Sequence, residues 1–343
     1  MRIAQVAPLA ESVPPEGYGG TERVVSYLTE ELVRLGHEVT LFATADSETS
    51  ADLEPMSPRG ARSDGDLDPR LLETRMLAEA YRRADEFDII HCHTDYVGLP
   101  LAEHVGTRTI VTLHGRLDLP GLPTVLRGFP DVAYVSISDS QRAPVPDIRW
   151  IATVYHGLPK RLYAFQPESS DYLLFLGRIC PEKGPDRAIR IATRARVPLR
   201  IAAKIDEADQ EYFETSVKPL LDDPLVDFLG EVGGEEKLQL LAHARALLFP
   251  IDWPEPFGLV MVESLACGTP VIARRRGSVP EILRDGETGF VCETDDELCE
   301  AVSRVPELDR RRCRADFERR FTDTRMAEDY VAVYETLDSS SEF

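Results

Sequence analysis

The stretch Trp253 to Gly268 reads WPEPFGLVMVESLACG, and its two carboxylates, Glu255 and Glu263, have seven residues between them. Pro254 and Pro256 exclude helix before Phe257, because a proline ring fixes φ, removes an N–H donor and restricts the residue before it. Leu259, Val260, Val262 and Leu265 then recur at helical spacing, so a helix begins near Gly258. The amides of Gly258, Leu259 and Val260, together with the positive end of the helix dipole, form an anion seat, and Gly258 lets a ligand approach the backbone closely. Glu255 precedes this seat and Glu263 follows it, about two turns into the helix. A diphosphate bearing hydroxyls at both ends, as in a nucleotide sugar, would meet one carboxylate on each side. An isolated Glu is usually a solvated charge, so this assignment needs the wider pattern.

That pattern is long. EPFGLVMVESLACGTPVIA, followed by RRRGSVPEIL and DGETGFV, resembles the donor-site signature of the retaining glycosyltransferases of family 4, a GT-B group. The resemblance implies an α/β chain with the GT-B fold, two facing Rossmann-like domains with parallel sheets and an interdomain cleft for the nucleotide sugar. It implies that Glu255 holds the donor sugar through its hydroxyls, that Glu263 holds the ribose, and that Phe257, Gly258, Leu259 and Val260 bind the donor between them.

A second cluster precedes this one. DYLLFLGRI reads as a strand entering GRICPEKGPD, with Arg178 and Lys183 five residues apart where strand gives way to helix. A planar guanidinium fork and a point-charge ammonium suit a diphosphate, and GR followed by EKG resembles the same family in the same place, which makes both residues catalytic candidates. LRIAAKI puts Lys204 at a strand end, where relatives carry a glycine-rich turn, as a nucleotide contact. The tail of VDFLGEV matches a loop that in the family holds the base through backbone groups, here Gly230, Glu231 and Val232.

Near the start, Arg2 to Pro8 reads as a strand and Gly17 to Gly20 as a glycine loop. TERVVSYLTEELVRLG follows, with an apolar stripe at Val24, Val25, Leu28, Leu32 and Leu35 closed by Gly36. A strand, loop and helix in that order can bring amides to a phosphate, although this loop is neither GxGxxG nor a Walker loop and a plain turn fits it equally. In the family the loop approaches the donor diphosphate, and Gly19 and Gly20 are the matching positions. His37 to Thr44 is a second strand, and the polar run Asp46 to Asp68 is expected to be a mobile insertion on the acceptor side. Its DGDLD has the spacing of a metal-binding DxD but sits in a loop rather than after a buried strand, so it reads as solvated charge. A helix from about Asp68 to Ala84 precedes the strand DIIHCH, in which His91, Cys92 and His93 alternate between faces and cannot share one metal ion. TIVTLHG ends at His114, at the carboxyl edge where open parallel sheets place ligands. The resemblance places His114 beside the donor sugar and makes it a catalytic candidate. In IRWIATVYHGLP, which resembles the family's domain-closing strand, His156 replaces the commoner Asn.

With 343 residues the chain is expected to form two domains, an acceptor-side domain at 1–160 and a donor domain at 161–322, with a helix at 323–343 crossing back to the first. A hydrophobic fraction of 43% with 29% charged residues describes a globular, soluble chain. No apolar run has the length of a membrane span and MRIAQVAP lacks a signal-peptide pattern, so a cytoplasmic location is expected. Six cysteines without CxxC pairs indicate neither a zinc ribbon nor a disulfide framework. A net charge of -21 argues against nucleic acid. Residues 1–155 hold 14 Arg, no Lys and 24 acids, so charge does not indicate a membrane-binding face either.

The combined expectation is transfer of a sugar, with retention, from a nucleotide diphosphate donor to a small-molecule, glycan or lipid-linked acceptor. UDP is the donor nucleotide by family frequency. No metal or other cofactor is expected, since Arg178, Lys183 and backbone amides carry the diphosphate charge. The resemblance implies a front-side departure in which a donor phosphate oxygen takes the acceptor proton. A sugar phosphorylase, a nucleotide-sugar hydrolase or epimerase, and a non-catalytic nucleotide-binding protein are the alternatives.

Overall fold

The computed structural model describes residues 1–17, 19–64, 68–105 and 107–339. The chain divides into two compact units, one made of Met1–Leu158 with Thr322–Phe343 and the other of Pro159–Phe321.

The first unit is built on seven parallel strands: β1 (Arg2–Val6), β2 (Glu38–Thr44), β3 (Asp52–Ser57), β4 (Ile89–Cys92), β5 (Thr109–Thr112), β6 (Ala133–Ser136) and β7 (Trp150–Thr153), in the order β3-β2-β1-β4-β5-β6-β7. Parallel strands covered on both faces need apolar residues throughout, and Ile3, Ala4, Val6, Ile89, Ile90 and Val111 are buried accordingly. Helix α1 (Gly20–Arg34) buries Val24, Val25, Leu28 and Leu32. Its exit is turned by Gly36 at φ +87°, a conformation costly for any residue with a Cβ. Helix α2 (Pro69–Arg82) starts at Asp68, whose carboxylate accepts a hydrogen bond from Arg70 N at 3.0 Å, the usual service of an N-cap.

The run Asp46 to Asp68 is not simply a mobile insertion. It contains β3, paired in parallel with β2 through Thr40 with Asp52 and Leu41 with Leu53. The segment DLEPMS hides its strand because Pro55 breaks the pattern. An edge strand tolerates the missing N–H, and β3 is the edge of this sheet. Within DGDLD, Gly65 to Leu67 lie outside the described residues, and Asp68 is the cap just mentioned.

The second unit carries six parallel strands: β8 (Leu173–Arg178), β9 (Leu199–Lys204), β10 (Val226–Gly230), β11 (Ala246–Phe249), β12 (Val271–Arg274) and β13 (Gly289–Cys292), ordered β10-β9-β8-β11-β12-β13. The chain steps outward from β8 to β10, then returns to the other side of β8 as β11. This reversal makes β8/β11 the switch point, where the carboxyl ends of neighbouring strands diverge and leave a crevice. Helices α3 (Pro185–Ala195), α4 (Gly234–His243), α5 (Leu259–Ala266), α6 (Asp295–Arg304) and α7 (Arg310–Arg320) complete the unit. Its core includes Phe175, Ile189, Ile201, Leu248, Ile272, Leu298 and Val302.

The last helix, α8 (Asp323–Ser339), belongs to the first unit and packs along α1. Thr324 donates to Glu31 Oε2 at 3.0 Å, and Asp323 N donates to Leu158 O at 3.1 Å. No helix among the described residues is long and apolar enough to cross a membrane. Where α8 begins, a Cβ on Gly157 would lie 2.2 Å from the carbonyl oxygen of Thr322. Gly157→Ala is therefore expected to cost about 1–3 kcal/mol, as overpacking against backbone does. Gly17→Ala, where a Cβ would meet nothing within 4 Å, is expected to stay within about 0.5 kcal/mol. Urea midpoints of the two variants measure the difference.

Candidate functional site

In the second unit, the neighbouring ends of β8 and β9 bring charge together. Arg178 closes β8 and is in register with Lys204, which closes β9. Arg178 Nη1 lies 3.3 Å from Asp206 Oδ2 and 3.8 Å from Asp209 Oδ2, and Lys204 Nζ lies 3.2 Å from Asp206 Oδ1. Burial alone would push the Asp206 carboxyl up, but its hydrogen bonds to Lys204 and Arg178 outweigh this and hold it below the usual carboxylate range. Beyond them Gly230 ends β10 at φ +72°, and the exposed Glu231 and half-buried Val232 lead towards α4.

Lys183 lies in the tight turn between β8 and α3. The amides of Lys183 and Gly184 both donate to Cys180 O at 3.2 Å, and Gly184 adopts φ +71°. The Lys183 ammonium forms an ion pair with Glu255 Oε2 and sits 4.7 Å from the centre of the Trp253 ring and 5.6 Å from that of Phe249. Two aromatic faces around a partly desolvated cation add attraction to the ion pair.

The segment carrying Glu255 is moulded by the loop after β12. Ser278 N donates to Glu255 O at 2.9 Å and Ser278 Oγ to Phe257 O at 2.8 Å. Gly277, at φ +54°, lies so near that a Cβ there would be 2.3 Å from both Glu255 N and Glu255 O. Gly258 then turns the chain at φ +80° and caps α5, with Met261 N closing the first turn on Gly258 O at 3.0 Å. The amides of Leu259 and Val260 in that first turn have no intrahelical acceptor. Glu263 is the fifth residue of α5, a little over one turn in rather than two. It is only 5% exposed and Glu255 only 7%, so neither is a solvated charge. Glu263 Oε1 accepts from Lys237 Nζ of α4 at 2.6 Å and from Tyr163 Oη at 3.1 Å.

Asp206, Asp209, Lys237, Tyr163 and Ser278 were not foreseen from the sequence. The first two stand within five residues of the predicted Lys204, where acids next to a strand-end cation are a usable signal. Lys237 and Tyr163 meet Glu263 only through tertiary structure.

Gly19, Gly20 and His114 belong to the first unit. Gly19 caps α1 in an extended conformation, and a Cβ there would lie 2.8 Å from the Pro15 side chain and 3.2 Å from Glu22 Oε2. Gly20 is the first residue of α1. The neighbouring carboxyls are unusual: burial pushes Glu22 upward, Glu73 to about 7 and Asp95 to about 6. His114 lies two residues beyond β5, with Nε2 2.9 Å from His93 Nδ1 and its ring stacked at 5.2 Å on that of His156. Burial pushes its imidazole down to about 3, so it is neutral at physiological pH. His91 of β4 and His93, one residue beyond that strand, have ring centres 3.9 Å apart. Cys92 points the other way, its Sγ 3.5 Å from Tyr81 Oη.

Two family profiles match the chain, one to each half. "Glycosyltransferase Family 4" covers residues 18–173 and "Glycosyl transferases group 1" covers residues 164–319. The chain belongs to glycosyltransferase family 4. A D-inositol 3-phosphate glycosyltransferase of Frankia alni is 29% identical over 337 residues, covering 80% of this chain and 82% of that protein. An uncharacterized glycosyltransferase of Methanocaldococcus jannaschii is 26% identical over 88% of each chain. The chain matches only 63% and 61% of the lengths of the D-inositol 3-phosphate glycosyltransferases of Nocardioides and Thermobifida fusca. Among solved structures, a glycosyltransferase involved in avilamycin A biosynthesis superposes with a TM-score of 0.77 at 28% identity, covering 99% of this family 4 chain and 98% of its own. Anabaena HepE in complex with UDP-glucose has the same fold, with a TM-score of 0.72 at 21% identity over 99% of this chain and all of its own.

The Lys237–Glu263 pair is the member of this constellation most open to a stability test. Lys237→Met leaves a buried carboxylate with Tyr163 alone from this pair of donors, and is expected to cost about 3–5 kcal/mol at neutral pH. Denaturant unfolding of the variant beside wild type measures it, and a cost below about 1 kcal/mol would mean the pair is screened as surface pairs are.

Proposed function

We propose that this family 4 protein transfers a sugar from a UDP-linked donor to an acceptor with retention of anomeric configuration and without a metal. The observation that carries this reading is the convergence of Arg178, Lys183 and the α5 N-terminus on the β8/β11 switch point, with a buried glutamate on either side of that N-terminus. Anabaena HepE, of the same fold, holds UDP-glucose, which supports the choice of donor.

In glycosyl transfer the bond from the anomeric carbon to the diphosphate oxygen breaks, and negative charge grows on the leaving group. Fixed cations and amides aimed at that charge lower the barrier more than they stabilise the ground state. Arg178 and Lys183 are held in advance by carboxylates, Asp206 and Asp209 for one and Glu255 for the other. The diphosphate takes over as their counter-ion, which frees Glu255 to accept hydroxyls of the sugar while Glu263 accepts those of the ribose. As the new bond to the acceptor oxygen forms on the same face, the acceptor proton passes to the departing phosphate oxygen. That route needs no nucleophilic carboxylate of the kind retaining hydrolases use.

Arg178→Ala and Lys183→Ala are each expected to lower turnover of a UDP-sugar by about 100-fold or more, with the fold intact by circular dichroism. UDP release in the presence of an acceptor panel reads this, and near-wild-type rates in both variants would remove the assignment. EDTA is expected to leave the wild-type rate unchanged. Loss of activity with EDTA, restored by manganese or magnesium, would overturn metal independence.

The two glutamates divide the donor between them. Glu263→Gln is expected to weaken UDP and UDP-glucose alike by roughly 1–3 kcal/mol. Glu255→Gln is expected to spare UDP and instead lower turnover and discrimination between sugars. Calorimetry with UDP and kinetics with intact donor separate the effects. The opposite pattern would mean that the donor lies in the reverse direction.

A further inference from the structure

The buried polar groups behind His114 form a chain whose directions of hydrogen bonding can be worked out atom by atom. A neutral imidazole has one N–H and one lone pair, a carbonyl oxygen only accepts, and an amide nitrogen only donates. Gln5 Oε1 lies 2.8 Å from His93 Nε2, so the proton of His93 is on Nε2. Its Nδ1 is then a lone pair, and His114 Nε2, 2.9 Å away, must be the donor. The proton of His114 is thereby spent on His93, and His114 Nδ1 keeps a lone pair. That atom is buried and has no hydrogen-bond partner among the described residues.

The far end of the chain is compatible with Gln5 placed in this way. Its amide nitrogen faces Tyr334 Oη at 3.3 Å and His91 Nδ1 at 3.4 Å. With the Tyr334 hydroxyl donating to His91 Nδ1 at 2.8 Å, and His91 Nε2 donating to Thr112 Oγ1 at 2.7 Å, every step has one donor and one acceptor. Burial holds His91, His93 and His114 far below the ordinary imidazole range, so the count of one proton per ring applies throughout.

We infer that Gln5 and His93 are positioning residues that lock His114 in its Nε2–H tautomer, so that its Nδ1 accepts a hydrogen bond from a hydroxyl or N–H of the ligand and disfavours a carboxylate or phosphate oxygen there. The ligand-facing half of this rests on the reading of His114 as a donor-sugar contact. The tautomer itself does not.

Long-range proton–nitrogen correlation spectra of the full-length protein labelled with ¹⁵N-histidine test both halves separately. For wild type between pH 6 and 8, His114 Nδ1 is expected at the shift of an unprotonated imidazole nitrogen and Nε2 at that of a protonated one. A protonated Nδ1, or averaging between tautomers, overturns the inference. In Gln5→Met, which removes the acceptor from His93, the His114 signals are expected to move towards a tautomeric mixture while thermal unfolding stays cooperative. An unchanged His114 pattern in that variant overturns the role of Gln5. Should the variant not fold, the wild-type spectrum still decides the tautomer. Titration with UDP-glucose is expected to move His114 Nδ1 and titration with UDP is not. If UDP-glucose binds without moving it, the contact with the donor sugar fails while the locked tautomer stands.

Discussion

Two carboxylates can sit almost fully buried at the β8/β11 end of the second unit only because each is met by an ammonium group from a different element. Burying an unpaired carboxylate costs several kcal/mol, and Glu255 and Glu263 avoid this through Lys183 and Lys237 respectively. The pairs do more than cancel charge. Lys183 ties the turn after β8 to the segment after β11, and Lys237 ties α4 to α5. Ser278 and Gly277 then clamp the backbone of the same segment from the loop after β12. Elements that a sheet leaves free to diverge are thus joined at their tips by interactions that fail one at a time if any residue moves.

The first unit meets the same constraint with neutral groups. Gln5, His91 and Thr112 on parallel strands, and His93 just beyond β4, are all buried, and a buried polar side chain without a partner costs about 1–3 kcal/mol. They satisfy one another, and Tyr330 and Tyr334 from α8 complete the set, Tyr330 Oη lying 3.0 Å from Thr112 Oγ1. Such a network has little tolerance for exchange of single members, because each removal strands a neighbour.

Much of this was legible in the sequence for a definite reason. Features written into the backbone leave local marks: the prolines before Phe257, Gly258 at the start of α5, Gly36 at the end of α1 and the apolar runs of the parallel strands all name their own conformations. Arg178, Lys183, Glu255 and Glu263 were singled out by the family resemblance of the motifs around those marks rather than by their own residue types, since an isolated Glu or surface cation reads as solvated charge. What stayed hidden is long-range or masked. Strand β3 carries Pro55 and no alternation, and it is a strand because β2 offers it a partner. Lys237 has no local relation to Glu263, and nothing near His91 announces tyrosines more than 200 residues away.

The return of α8 to the first unit bears on how the chain is made. Synthesis is vectorial, and α8 follows the entire segment Pro159–Phe321. At roughly 5–20 residues per second, the ribosome needs about 10–30 s to pass that segment. During this interval the nascent first unit holds its strands without Tyr330 and Tyr334, so His91 and Thr112 lack the hydroxyls that later cover them. The second unit, contiguous in the chain, has no such wait. The polar network of the part that is translated first therefore cannot be completed until the last helix of the chain has been made.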